Sequence, residues 1–135
     1  MFKKKGNGVY RARLCAIGYT QIAGIDHGYA FAPVIGETAF RLVLVIGLFN
    51  GWIMKIVDVK TAFLNGDLDK EIFMTVPEGM DIFMGKAYDS EDALRLVQAM
   101  YGLVQGARQF FKKLSDTMVK KMNFSKCLSD QCLLF

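Results

Sequence analysis

The residues best suited to chemistry lie in Ile56-Val57-Asp58-Val59-Lys60-Thr61-Ala62-Phe63-Leu64-Asn65-Gly66-Asp67-Leu68-Asp69. The apolar run Ile53-Met54-Lys55-Ile56-Val57 reads as a strand that delivers a carboxylate, Asp58, at its end. Such a carboxylate can offer hard oxygen ligands to a divalent cation at a sheet edge, or simply close the strand in solvent. The pattern alone leaves both open. Other reactive residue types are sparse. Cys15, Cys127 and Cys132 contain no Cys-x-x-Cys pair, so they suggest neither a disulfide framework nor a standard zinc site and read as core or half-buried thiols. His27 is the single histidine, which excludes a mechanism needing two. A calcium loop on Asp67, Asp69 and Glu71 lacks the twelve-residue ligand spacing such loops use.

With 135 residues, 53% hydrophobic and 22% charged, the chain has the content for one domain with a packed core. Its most apolar stretch, Leu42 to Phe49, falls far short of the roughly 20 residues that span a bilayer. Lys3-Lys4-Lys5 is not followed by an apolar h-region, so a secretory signal is not expected and an intracellular setting is. The net charge of +4 is compatible with a polyanionic partner, but the pairs Lys112-Lys113 and Lys120-Lys121 equally suit a solvated face.

Along the chain, Val9 to Ile17 reads as a strand with Arg11 and Arg13 on one face. Gly18 to Gly28 is turn-rich. Thr38 to Phe49 reads as a helix capped by Thr38, buried on most sides and stopped near Asn50-Gly51. Ile53 to Asp58 then forms a central strand. Glu71 to Val76 and Ala93 to Val97 are further strands, joined by a polar connection over Met80 to Asp92. From Gly106 the pattern is helical, with Ala107, Phe110, Phe111, Leu114, Met118 and Met122 on the apolar face. Cys132-Leu133-Leu134-Phe135 looks like a strand cut at its start. The irregular mixture of strands and two main helices, without repeat or linker, predicts a single α+β unit over residues 1–135.

Four blocks in order resemble the reverse transcriptase domain of copia-type LTR retrotransposons. They are Arg11-Ala12-Arg13-Leu14 with Gly18-Tyr19-Thr20-Gln21 and Gly24-Ile25-Asp26; Phe31-Ala32-Pro33-Val34; Asp58 through Leu68; and Tyr101-Gly102-Leu103 with Gln105 and Arg108. The resemblance runs from about Gly8 to Phe135. It implies a right-hand polymerase, with this chain contributing fingers and the first part of the palm. It implies that Asp58 is a catalytic carboxylate, with Asp58 and Val59 at a Mg²⁺ site that two-metal phosphoryl transfer uses. Phe63 matches the aromatic that leaves no room for a 2′-hydroxyl, so it would exclude NTPs by clash. Gln105 matches a loop near nucleotide and template, and Arg11 or Arg13 would meet the triphosphate.

The same resemblance implies partners: dNTPs, an RNA or DNA template-primer, and the rest of a polyprotein with the remaining palm, thumb and RNase H. No membrane is implied, and the setting is a cytoplasmic particle or the nucleus. Departures are visible. Gln105-Gly106-Ala107-Arg108 lacks the family's Pro, and Gln131 replaces the usual Pro after Asp130. The Tyr-Val-Asp-Asp segment that supplies two further carboxylates would follow Phe135, so this chain by itself is expected to be inactive. The rival expectation is a non-catalytic nucleic-acid-binding remnant of a decayed element.

Overall fold

The computed structural model describes residues 2–4, 6 and 8–135, with the side chains of Phe2, Lys3 and Arg11 outside that description, and among the described residues it pairs backbone in two antiparallel ladders and two isolated bridges, Ala23 with His27 and Lys126 with Leu134. Strands β1 (Phe2–Lys4) and β2 (Tyr10–Ala12) form a hairpin in which Lys3 faces Arg11. The strand expected from Val9 to Ile17 is therefore much shorter. Its remainder runs past the end of β1 and turns elsewhere for partners, with the Ala16 N–H donating to Tyr101 O at 2.7 Å. A single 3₁₀ turn, Gly18–Thr20, opens the turn-rich stretch.

Helix α1 (Glu37–Phe49) ends where expected: the Asn50 N–H donates to Ile46 O, and Gly51 takes φ of 64°. Its start and its burial differ from expectation. Gly36, not Thr38, is the N-cap, and its N–H donates to the Asp130 carboxylate at 2.8 Å. The helix is open rather than enclosed, with Leu42, Val45, Leu48 and Phe49 all exposed. Only Gly47 is buried, beneath Met54 and Trp52, which fold back over it.

The expected central strand, Ile53 to Asp58, is not one. Residues 52–59 are irregular, and Ile53, Ile56 and Val57 are 88%, 102% and 85% exposed. A strand exists only where a neighbour accepts its N–H and C=O groups. Among the described residues none lies alongside.

The second ladder carries the molecule's core. Strand β3 (Asp67–Thr75) pairs with β4 (Ala93–Gln98), Ile72 opposite Leu96 and Thr75 opposite Ala93, with an irregularity between Asp67 and Ile72. The bulge lets pairing reach back to Asp67, which is why β3 starts four residues before the expected Glu71. A short helix, α2 (Met80–Met84), interrupts the polar connection. Helix α3 (Gly106–Met122) matches its periodicity and packs on β3 and on the 3₁₀ turn Ala62–Asn65. The residues it buries most deeply are Gly106, Gln109 and Ser115, while Leu114 and Met122 of the apolar stripe stay exposed.

Ile72, Met100 and Leu103 form the buried centre, with Ala16, Leu68, Met74 and Leu96 against it. After α3 the chain closes as a small hairpin: Ser125 and Phe135 exchange both backbone hydrogen bonds, and Cys127 N–H donates to Leu133 O at 2.9 Å. The Cys132–Phe135 run thus pairs within the chain. No described helix is long and apolar enough to cross a membrane.

Candidate functional site

The segment after this irregular run turns sharply. Thr61 adopts φ 51° and ψ 40°, a left-handed conformation that a β-branched residue takes at a cost of about 1–3 kcal/mol. Its carbonyl is held by the Leu64 N–H at 2.9 Å and the Asn65 amide at 3.2 Å. This turn swings Phe63 inward and leaves Asp58, Val59 and Lys60 along the rim of a cleft of about 710 Å³. Arg13, Leu14, Met100 and Tyr101 line the same cleft.

Arg13 stacks its guanidinium 5.3 Å from the centre of the Tyr101 ring, an arrangement worth about 0.5–1 kcal/mol at an exposed site. Phe63 lies directly behind: its ring is 5.0 Å from Tyr101 and 6.5 Å from Phe110. Two cations, Arg13 and Lys60, thus share the cleft with one carboxylate, Asp58. That balance suits an anionic ligand accompanied by a cation.

The expected site residues are only partly assembled. Asp58, Val59 and Arg13 share the cleft, and Phe63 sits one ring away from it, half-buried. The side chain of Arg11 lies outside the described residues. Gln105 is placed elsewhere. At 1% exposure it is among the most deeply buried side chains, and both ends of its amide are engaged within the protein. Its Oε1 accepts from Gln21 Nε2 at 3.1 Å and its Nε2 donates to Asp26 O at 3.3 Å. A buried amide takes protein partners rather than remain unpaired, and in this chain those partners are Gln21 and Asp26.

The oxygen donors available to a metal are few. Asp58 offers a carboxylate and Val59 only its main-chain carbonyl. Among the described residues no three His, Cys, Asp or Glu side chains converge. Two Mg²⁺ ions need several hard oxygen ligands fixed together, so these residues do not by themselves form a two-ion site.

Three parts of the site escaped sequence reasoning. Thr61 carries no turn-forming residue type, so its left-handed backbone had no signal. Tyr101 stood in a quoted block, but nothing marked it as the ring between Arg13 and Phe63. Gln21 closed the block Gly18-Tyr19-Thr20-Gln21, and its partners are 83 and 84 residues away.

Residues 1–134 match the family described as reverse transcriptase (RNA-dependent DNA polymerase). The chain belongs to that family. It is 38% identical over 126 residues to the Retrovirus-related Pol polyprotein from transposon TNT 1-94 of Nicotiana tabacum, covering 93% of this chain and 9% of the relative. The corresponding polyproteins from transposons RE2 and RE1 of Arabidopsis thaliana are 38% and 35% identical, each over 92% of this chain and 8% of its own length. The copia-type resemblance holds over nearly the whole sequence. This reverse transcriptase chain spans less than a tenth of the length of these polyproteins. No solved structure matches it with significance.

Proposed function

We propose that this chain forms part of the fingers and palm of a right-hand polymerase, and that its cleft meets a deoxynucleoside triphosphate at a primer end during RNA-directed DNA synthesis. The observation that carries the reading is that Asp58, Arg13 and Lys60 line one cleft in a member of the reverse transcriptase family. Guanidinium and ammonium groups suit phosphate oxygens, with Arg11 or Arg13 as the triphosphate partner. A carboxylate among them is a natural ligand for the divalent cation that accompanies a triphosphate.

Phe63 would set sugar selectivity from behind Tyr101, its bulk limiting the space a 2′-hydroxyl needs. Mg²⁺ is the proposed cation of the complete domain, with Asp58 and the Val59 carbonyl among its ligands and the other carboxylates coming from protein beyond these residues. By the same reasoning the 135 residues alone do not polymerise. Template-primer and the remainder of the polyprotein are the proposed partners.

The test has two arms. Titrating the chain with an RNA–DNA primer-template should give weak, sequence-independent binding that falls steeply, by roughly tenfold or more, between 50 and 200 mM salt, because phosphate contacts release counterions. The same preparation should incorporate no dNTP with Mg²⁺ or Mn²⁺. Salt-independent affinity would remove the phosphate-binding surface from the account, and template-dependent incorporation would contradict the claim about carboxylates. Binding without turnover in a chain lengthened through the rest of the polymerase domain would favour a non-catalytic nucleic-acid-binding remnant.

A further inference from the structure

A polar seam joins the segment that carries Arg13 to the turn that carries Tyr101. At its near end the Ala16 N–H donates to Tyr101 O at 2.7 Å. In the middle the two backbones touch at paired glycines: a Cβ on Gly18 would stand 1.9 Å from Gly102 O, and one on Gly102 would stand 2.0 Å from Ala16 O. At the far end stands Gln21. Its Oε1 accepts from the Val104 N–H at 2.9 Å, while its Nε2 donates to Gln105 Oε1 at 3.1 Å. Gln105 passes the contact on to Asp26 O at 3.3 Å, and the Asp26 carboxylate in turn accepts from the Ile22 N–H at 2.7 Å.

Both polar atoms of the Gln21 amide are thus engaged by the 104–105 turn. Two segments distant in sequence are thereby tied together, and the same two segments carry the Arg13 guanidinium and the Tyr101 ring, 5.3 Å apart. We infer that Gln21 is a positioning residue of the cleft, acting through the buried Gln105 to hold Arg13 on Tyr101. Its bearing on nucleotide affinity rests on the proposed function above; the positioning itself does not. An amide is suited to the task because it presents one acceptor and one donor side by side. The Val104 N–H requires the first and the Gln105 carbonyl oxygen requires the second.

The test uses NMR on the 135-residue chain. Arg13 side-chain protons stacked on an aromatic ring carry an upfield ring-current shift, and Gln21→Leu, which keeps volume but removes both hydrogen bonds, should lose more than half of it. Gln21→Glu gives a sharper reading within one variant. Ionised, the carboxylate still accepts from Val104 N–H but faces the Gln105 oxygen with lone pairs; protonated, it can donate to that oxygen and restore the pair. The Arg13 shift in Gln21→Glu should therefore recover toward the parental value as pH falls through the carboxyl range, about 4–5, while the parent changes little. A merely structural contribution would not titrate in this way, and the pH series carries the test if Gln21→Leu fails to fold. A parental Arg13 shift in folded Gln21→Leu, or a pH-invariant shift in Gln21→Glu, overturns the inference. Titration with dTTP separates the two readings. Parental binding weakened at least fivefold by Gln21→Leu supports both, whereas a parent that ignores dTTP sinks the nucleotide reading and leaves the ring-current shift to decide positioning.

Discussion

Gly18 and Gly102 make the tightest backbone approach around the cleft, and Gly102 also holds φ at 93°. Gly102→Ala meets both a backbone atom 2.0 Å away and a disfavoured dihedral, so it should destabilise the chain by about 2 kcal/mol or more. Gly51→Ala isolates the dihedral, since φ is 64° and nothing lies within 4 Å; about 1 kcal/mol is expected there. Urea midpoints for the pair check the difference, and equal losses would remove the steric contact from the explanation. Asp130 makes a prediction of another kind. Its carboxylate accepts from the Gly36 and Cys132 N–H groups, chiefly the former, and these hold its pKa below the usual value of 3.8. A depressed folded-state pKa means the tie is fully present above the unfolded value and is lost as pH falls through the folded one. The Gly36 amide should thus keep its downfield, protected signature at pH 4.5 and lose it only below about 3.8. Asp130→Ala should lack that signature at every pH. A Gly36 amide already released at pH 5 would show that the carboxylate is not its partner.

The element least like its sequence pattern is the run that leads to Asp58. Its composition is that of a buried strand, yet Ile56 is 102% exposed and unpaired in any ladder. Ile56→Lys should therefore change the stability of this chain by less than about 0.5 kcal/mol while reducing self-association, measured by urea unfolding and sedimentation. A loss of several kcal/mol would mean that the run is packed in solution. Local signals did identify β4 and α3 closely, because each completes its own pairing or packing within the chain: Ile72 meets Leu96, and α3 rests on the Ala62–Asn65 turn. They also identified where α1 stops, since Asn50-Gly51 is a local cue. They failed for residues 53–58 and for the burial of α1, where the pattern reports a preference for burial but cannot supply the surface that would satisfy it. The partners of Gln105 lay beyond local signals for a related reason. An amide's type says that it will hydrogen-bond, but its partners Gln21 and Asp26 arrive only through the fold.

Across the whole molecule the apolar surface is the dominant fact. The accessible area is 10887 Å², whereas a compact monomer of 15.2 kDa has roughly 7,100 Å². The excess includes Phe49, Trp52, Ile53, Ile56 and Val57, all on the approach to Asp58. Relatives more than ten times longer than their aligned region give the proposed polyprotein ample chain to cover that surface. Sugar selection belongs to the completed cleft. In a lengthened, active polymerase Phe63→Val should leave dNTP use largely intact and admit rNTPs, because it removes bulk without adding attraction. Unchanged rNTP rejection in primer extension would return Phe63 to a packing role against Tyr101 and Phe110. Whether Asp58 serves the metals is measured by single-turnover primer extension with the lengthened polymerase and its Asp58→Asn variant. The substitution keeps shape and hydrogen bonding but removes charge, so the rate should fall by about two orders of magnitude or more while primer-template affinity is retained. Near-parental extension by Asp58→Asn would make Asp58 a solvated residue at the end of an irregular run and would contradict its role at the metals.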